Sequence, residues 1–164
     1  MTVPLKIYHL EMTGRAELRP AREVPGLQTL RVDPPQPDVN RRYYEQVGAD
    51  WQWTDRLAWS PEEWRGYACR PELRTLLGVL EGEEVGYFEL EEQAGGDVEI
   101  ALFGLRPEFI GRGLGGALLT MAIEEAWAVP GSTRVWVHTC TLDHEFALAN
   151  YEKRGFRLFK VEEQ

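Results

Sequence analysis

Cysteine, histidine and positive charge are all scarce in this chain, and it has no long continuously apolar stretch. Its two cysteines, Cys69 and Cys140, allow at most one disulfide, and a chain of 164 residues does not need a covalent staple, so reduced thiols are expected. No run approaches the roughly 18 apolar residues of a membrane-spanning helix. The opening Met1-Thr2-Val3-Pro4-Leu5-Lys6 lacks the basic-then-apolar layout of a secretory leader. A cytoplasmic address without membrane contact is the expectation. A formal net charge of -9 argues against a general nucleic-acid binder, because phosphate backbones are held largely by clustered Lys and Arg. His138, Cys140, Asp143 and His144 crowd together, but they match no metal-ligand spacing, and His138 and Cys140 end a strand that reads as buried. No metal is expected.

What is present suffices for one core. With 43% hydrophobic residues the chain is long enough to close a single globular unit, residues 1–164, and too short for two comfortable ones. Charge is unevenly placed: Arg15, Arg19, Arg22, Arg31, Arg41 and Arg42 lie in the first quarter, while Glu81, Glu83, Glu84, Glu89, Glu91, Glu92 and Asp97 lie mid-chain. An acidic surface favours a cationic substrate; a solvated face is the plainer explanation.

Val3 to Met12 and Ala16 to Arg22 read as extended, and Asp33-Pro34-Pro35-Gln36-Pro37 reads as a loop that excludes helix. Asp38 to Gln46 reads as a short helix. Ser60-Pro61-Glu62-Glu63 starts another: Ser60 can cap free N–H groups, Pro61 suits the first helical position and Glu63 completes a capping box. Leu73 to Leu80 and Val85 to Leu90 are strand-like runs joined as a hairpin through Glu81-Gly82-Glu83-Glu84. A strand from Val98 to Leu105 should place Val98, Ile100 and Leu102 on one face and Glu99, Ala101 and Phe103 on the other. A helix from Gly113 to Ala128 carries Leu114, Ala117, Leu118, Met121 and Ala122 at helical spacing and ends at Val129-Pro130-Gly131. A strand from Arg134 to Thr139, a helix from Asp143 to Arg154 closed by Gly155, and a last strand from Phe156 complete the chain.

The densest chemical signal is Gly111-Arg112-Gly113-Leu114-Gly115-Gly116, between a strand and a helix. It matches the dinucleotide pattern G-x-G-x-x-G literally but not in context. Arg106 to Ile110 separate it from its strand, and Arg134-Val135-Trp136-Val137-His138-Thr139-Cys140 supplies no carboxylate for a ribose. What survives is physical: small residues expose consecutive backbone N–H groups, and the following helix adds the positive end of its dipole, which together make a pyrophosphate cradle. Arg112 could add a charge at the rim or simply be an exposed helix-start arginine.

In this setting Ile110-Gly111-Arg112-Gly113-Leu114-Gly115-Gly116-Ala117-Leu118-Leu119 resembles the main signature of the GNAT acetyltransferase superfamily, a strand, the turn Q/R-x-x-G-x-G/A and a helix, with Ile110 at the usually polar first position. Ala147-Leu148-Ala149-Asn150-Tyr151-Glu152-Lys153-Arg154-Gly155-Phe156 is similar to a second signature, an alanine-bearing helix running into Tyr-Glu-Lys-x-Gly-Phe, and His144 stands where the family often has asparagine. The resemblance covers residues 73–163. It implies an α/β fold: a central mixed, mostly antiparallel sheet flanked by helices and splayed between two strands around the cofactor. Residues 1–72 would shape the acceptor site and residues 73–164 would form the acyl-CoA-binding core. Acetyl-CoA would be the co-substrate, a small-molecule or peptide amine the acceptor, and a homodimer is compatible with the family.

The resemblance implies roles for particular residues. Backbone amides at Phe103, Gly104 and Leu105 would pair with the pantetheine arm; Gly111, Arg112, Gly113, Leu114, Gly115 and Gly116 would hold the diphosphate; His144 and Asn150 would touch the cofactor. Glu99 stands where some members have a catalytic glutamate, and an otherwise apolar strand face would raise its proton affinity as a base; pairing with an arginine of the opening strand is the structural alternative. Tyr151 would protonate the departing thiolate, or else be a core aromatic. Trp51, Trp53, Trp59, Trp64, Tyr43, Tyr44 and Tyr67 belong mainly to the core, with Trp53, Asp55 and Arg56 as candidates for the acceptor pocket. The function implied is N-acyl transfer to a primary amine by direct attack in a ternary complex; the alternative is a non-catalytic acyl-CoA sensor of the same fold.

Overall fold

The computed structural model describes residues 5–49, 53–141 and 147–163. Its strands are β1 (Lys6–Met12), β2 (Leu27–Arg31), β3 (Leu73–Leu80), β4 (Glu83–Glu92), β5 (Asp97–Leu105), β6 (Arg134–Cys140) and β7 (Arg157–Glu163). They form one open sheet in the order β2-β3-β4-β5-β6-β1-β7. Every neighbouring pair is antiparallel except β5 with β6. The helices are α1 (Pro37–Gly48), α2 (Pro61–Ala68), α3 (Gly115–Ala128) and α4 (Ala147–Lys153). This is the mixed, mostly antiparallel α/β architecture expected from the sequence. Among the described residues, no helix is long and apolar enough to cross a membrane.

Side-chain alternation along the strands separates two apolar layers. Leu76, Val85, Phe88, Leu90, Val98 and Ile100 join Leu118, Leu119, Ala122 and Ile123 of α3 in the main core. Leu77 and Tyr87 turn the other way, onto Tyr43 and Val47 of α1. The α2 start is the capping box read from sequence: Glu63 N–H donates to Ser60 Oγ at 3.2 Å and Ser60 N–H to Glu63 Oε1 at 3.2 Å.

Several local expectations shift. Ala16 to Arg22 is not a strand; a short 3-10 turn covers Arg15–Glu17, and the second extended element is β2, an edge strand in which only Leu27 is buried. With one buried side chain in five residues, β2 offers almost no period-2 signal. The proline loop ends one residue earlier than expected, because Pro37 takes the first turn of α1, where a missing N–H is harmless. The β3–β4 hairpin is tighter than expected: Glu81 and Gly82, both at positive φ, turn the chain alone, and β4 begins at Glu83. The third helix begins at Gly115, two residues later than read, since Gly111 and Gly113 both hold positive φ and keep the chain out of the helix.

The consequential departure is in β5. Glu89 pairs with Leu102 and Leu90 with Ile100, so Ala101 is an extra residue, a β-bulge. Beyond it the faces exchange. Phe103 and Leu105 join Val98 and Ile100 on the main core, while Leu102 packs in the smaller cluster with Tyr43, Val47, Leu77 and Tyr87. The regular alternation read from the sequence holds only as far as Ile100.

Candidate active site

The parallel pair β5–β6 opens partway along. Its register runs from Asp97↔Arg134 to Ile100↔Val137 and stops, although β5 continues to Leu105 on the edge of β4 and β6 continues to Cys140 on the edge of β1. Among the described residues, no strand pairs with the β6-facing edge of β5 from Ala101 to Leu105, where its backbone groups face the cavity. A cavity of about 920 Å³ runs through the opening. One end is lined by Phe103, Leu105, Ile110, Gly111, Gly115, Gly116, Asn150 and Tyr151, and the other by Tyr44, Trp53, Asp55, Arg56, Tyr67, Glu91, Glu99 and His138.

At the first end the turn before α3 is open. A Cβ placed on Gly111 or Gly113 would meet nothing within 4 Å, and both residues hold the positive φ that glycine adopts without strain. The first backbone bond of α3 is Leu118 N–H to the Leu114 carbonyl at 2.9 Å, so the amides of Gly115, Gly116 and Ala117 precede any intrahelical acceptor. An anionic group fits these donors, for which the described residues supply no backbone acceptor. The side chains of the turn divide: Leu114 is buried in the main core, and Arg112 turns its guanidinium onto the Phe109 ring at 5.1 Å, away from the cavity. Gly104 lets the sheet approach α1, because a Cβ there would overlap Val47 Cγ1. Tyr151 is 7% exposed, lies edge-on to Phe156 and lines the cavity. His144 and Trp51 lie outside the described residues.

At the second end Glu99 does not have the apolar surroundings expected of it. The bulge at Ala101 leaves it on the face of Glu91 and Tyr87, and its partners are polar: Gln93 Nε2 donates to Oε1 at 3.1 Å and His138 Nδ1 lies 3.1 Å from Oε2. Nor is an arginine of the opening strand its partner. Arg56 likewise finds a partner other than its neighbour Asp55. Its Nη1 is 3.6 Å from Oε1 of Glu89, and its guanidinium lies over Tyr67, Trp59, Tyr44 and Trp64, at 4.1 Å from the Tyr67 ring.

Glu89 was singled out by no sequence motif. It is fully buried in the middle of β4, where Tyr67 Oη and Asn40 Nδ2 donate to it and Asn40 also donates to Thr75 Oγ1 at 2.8 Å. Burial holds its carboxyl above the ordinary range, against the opposing pull of Arg56, Tyr67 and Asn40. Burial, then the neighbouring Glu89, push the Tyr67 hydroxyl up as well. One signal was visible: a lone carboxylate inside the apolar run Val85-Gly86-Tyr87-Phe88-Glu89-Leu90.

This open, mixed sheet with its flanking helices matches the fold of GCN5-related N-acetyltransferases. The model of the Acetyltransferase (GNAT) family matches residues 27–156, and the chain belongs to that family. A GCN5-related N-acetyltransferase from Sphaerobacter thermophilus superposes with a TM-score of 0.71 at 21% identity, over 98% of this chain and 50% of that one. One from Kribbella flavida gives 0.68 at 18%, over 96% of this chain and 58% of that one. The chain thus spans 50% and 58% of the length of these two structures. The IAA acetyltransferase from Bacillus cereus ATCC 14579 gives 0.60 at 22%, over 82% and 79%. At such identities the likeness is one of fold. No curated protein matches the sequence.

Proposed function

We propose that the protein transfers an acetyl group from acetyl-CoA to a primary amine, by direct attack of the amine with both substrates bound. The observation that carries this reading is the continuity of the cavity: one space joins the open glycine turn to a pocket lined by aromatic rings and carboxylates, through the gap between β5 and β6. The turn fits a diphosphate on its own evidence, with open surface over Gly111 and Gly113 and donor amides at the head of α3. The cavity-facing edge of β5 at Phe103, Gly104 and Leu105 would hold the pantetheine arm by backbone hydrogen bonds, and Asn150 would flank it. The bound thioester supplies an activated acyl carbon. The chain's own part is to align the amine with that carbon, to exclude water with Trp53, Tyr44 and Leu102, and to accept the amine proton on the side of Glu99. Tyr151, on the cofactor side, would return a proton to the sulfur.

The test has two stages. Acetyl-CoA should raise the melting temperature and NAD should not, since a ligand that binds only the folded state stabilises it by mass action. A panel of primary amines with acetyl-CoA, read by released thiol, should then yield at least one acceptor. Stabilisation by CoA with no thiol released by any amine would favour an acyl-CoA sensor.

A further inference from the structure

The connection between α1 and α2 carries Trp53, Thr54 and Asp55 into the lining of the cavity, and the residue that follows them ties it to three other elements. Thr54, Asp55, Leu57 and Ala58 are exposed, whereas the side chain of Arg56 is only 17% exposed. Its guanidinium lies over four rings, from 4.1 Å at Tyr67 to 5.9 Å at Trp64, with Tyr44 and Trp59 between. Its Nη1 is 3.6 Å from Oε1 of the fully buried Glu89. Tyr44 belongs to α1, Trp64 and Tyr67 to α2, and Glu89 to β4. The Arg56 amide also donates to Tyr44 Oη at 3.1 Å. Glu89 stands opposite Leu102 in the β4–β5 register, and Leu102 lines the same cavity.

Aromatic rings grouped beside a carboxylate make a seat for a cation, and here the chain fills that seat with its own side chain. Two apolar side chains would occupy the same space without the cost of burying charge, so stability alone does not account for the pair. What the charge adds is direction. A planar guanidinium stacked on Tyr67 and drawn toward Glu89 has one seat, and the backbone attached to it has one path. We infer that Arg56 is a positioning residue for the acceptor: held between the rings and Glu89, it fixes Trp53, Thr54 and Asp55 as the wall that aligns the amine with the thioester. It acts through that wall rather than by touching the amine. This rests on the acetyltransferase reading above. The glycine turn lies at the other end of the cavity, so binding of CoA does not depend on Arg56.

Hydrogen exchange reads the positioning without any acceptor. The amides of Trp53, Arg56, Leu57 and Trp59 donate to the Gly48 carbonyl, Tyr44 Oη, the Thr54 carbonyl and the Arg56 carbonyl. In Arg56→Met these four amides should exchange about tenfold or more faster, by local opening of the connection. Faster exchange confined to the slow amides of the core, with these four at the parent rate, would make the pair merely structural and overturn the proposal. With acetyl-CoA and the amine that scores in the panel, assayed well below the melting temperature, Arg56→Met should raise the KM of the amine by about tenfold or more. Calorimetric affinity for acetyl-CoA should stay as in the parent. The double variant Arg56→Met with Glu89→Gln buries no charge, so it should regain melting temperature over Arg56→Met while the KM of the amine stays high. It also serves if the single variant does not fold. A KM that returns to the parent value with the melting temperature, or acetyl-CoA affinity that falls as far as the KM rises, overturns this proposal alone. A parent protein that binds no CoA and releases no thiol overturns the acetyltransferase reading and this proposal with it.

Discussion

Tyr151 serves two environments with one ring. Its body packs against Phe156 in the main core while its surface lines the cavity beside Asn150. Tyr151→Phe keeps that ring and removes only the hydroxyl, so acetyl-CoA affinity should stay as in the parent. If the hydroxyl protonates the leaving sulfur, turnover falls by about tenfold or more, the pattern of an interaction made only in the transition state. Calorimetric binding and single-turnover rates separate the two outcomes: lost stability with intact turnover per folded molecule makes the hydroxyl a structural bond. The same care applies to Glu99, whose residue type invited a role as base but whose two oxygens are already occupied.

At the scale of the element, the glycine turn and α3 act as one unit, yet its glycines are not equivalent. Gly113 holds φ at +78°, so a valine there is strained by about 1–3 kcal/mol whatever the ligand does. Gly115 begins the helix, and a Cβ there meets only Asn150 Nδ2 and Leu105 Cδ1, both at 3.9 Å. Gly115→Val should therefore leave the melting temperature close to the parent's and abolish CoA binding, whereas Gly113→Val should lower both. Melting curves with titration calorimetry check this, and retained affinity in Gly115→Val moves the diphosphate elsewhere. The bulge at Ala101 does comparable work in β5, since it turns Phe103 and Leu105 onto the core side and leaves Leu102 with the smaller cluster, lining the cavity.

Across the whole molecule, Glu89 ties together α1 through Asn40, the connection before α2 through Arg56, α2 through Tyr67, and β3 through the Asn40–Thr75 bond. Its carboxyl is held above the ordinary range by burial, so the folded chain binds that proton more tightly than the unfolded one. Stability from this group is therefore greatest at low pH and falls as pH rises from the unfolded titration through the folded one. Arg56→Met removes the counter-charge and should cost about 3–5 kcal/mol at neutral pH. Part of that loss should return on acidification, as Glu89 becomes neutral, which urea denaturation at about pH 5 and about pH 8 would read. Equal losses at both values would mean that Glu89 stays ionised without Arg56.

The glycine turn, the capped start of α2, the β3–β4 hairpin and the Tyr151 helix running into Gly155 were all readable from the chain alone. Each is decided within a few residues, by backbone conformations that glycine and proline permit and by side-chain periodicity. The edge strand β2 was not, because a strand with one buried side chain carries little pattern. The site's chemistry was legible only in part. Glu99 and Tyr151 could be picked out by position, but the Glu89–Arg56 pair and the chain from Trp136 through Gln93 and Glu99 to His138 join residues from different strands and loops. Which groups meet there depends on strand register, and one extra residue at Ala101 was enough to exchange the faces of β5. Local rules set the elements and the glycine turn; the pairing of distant strands decided which side chains share the cavity, because registry between segments far apart in sequence is fixed only when the whole sheet packs.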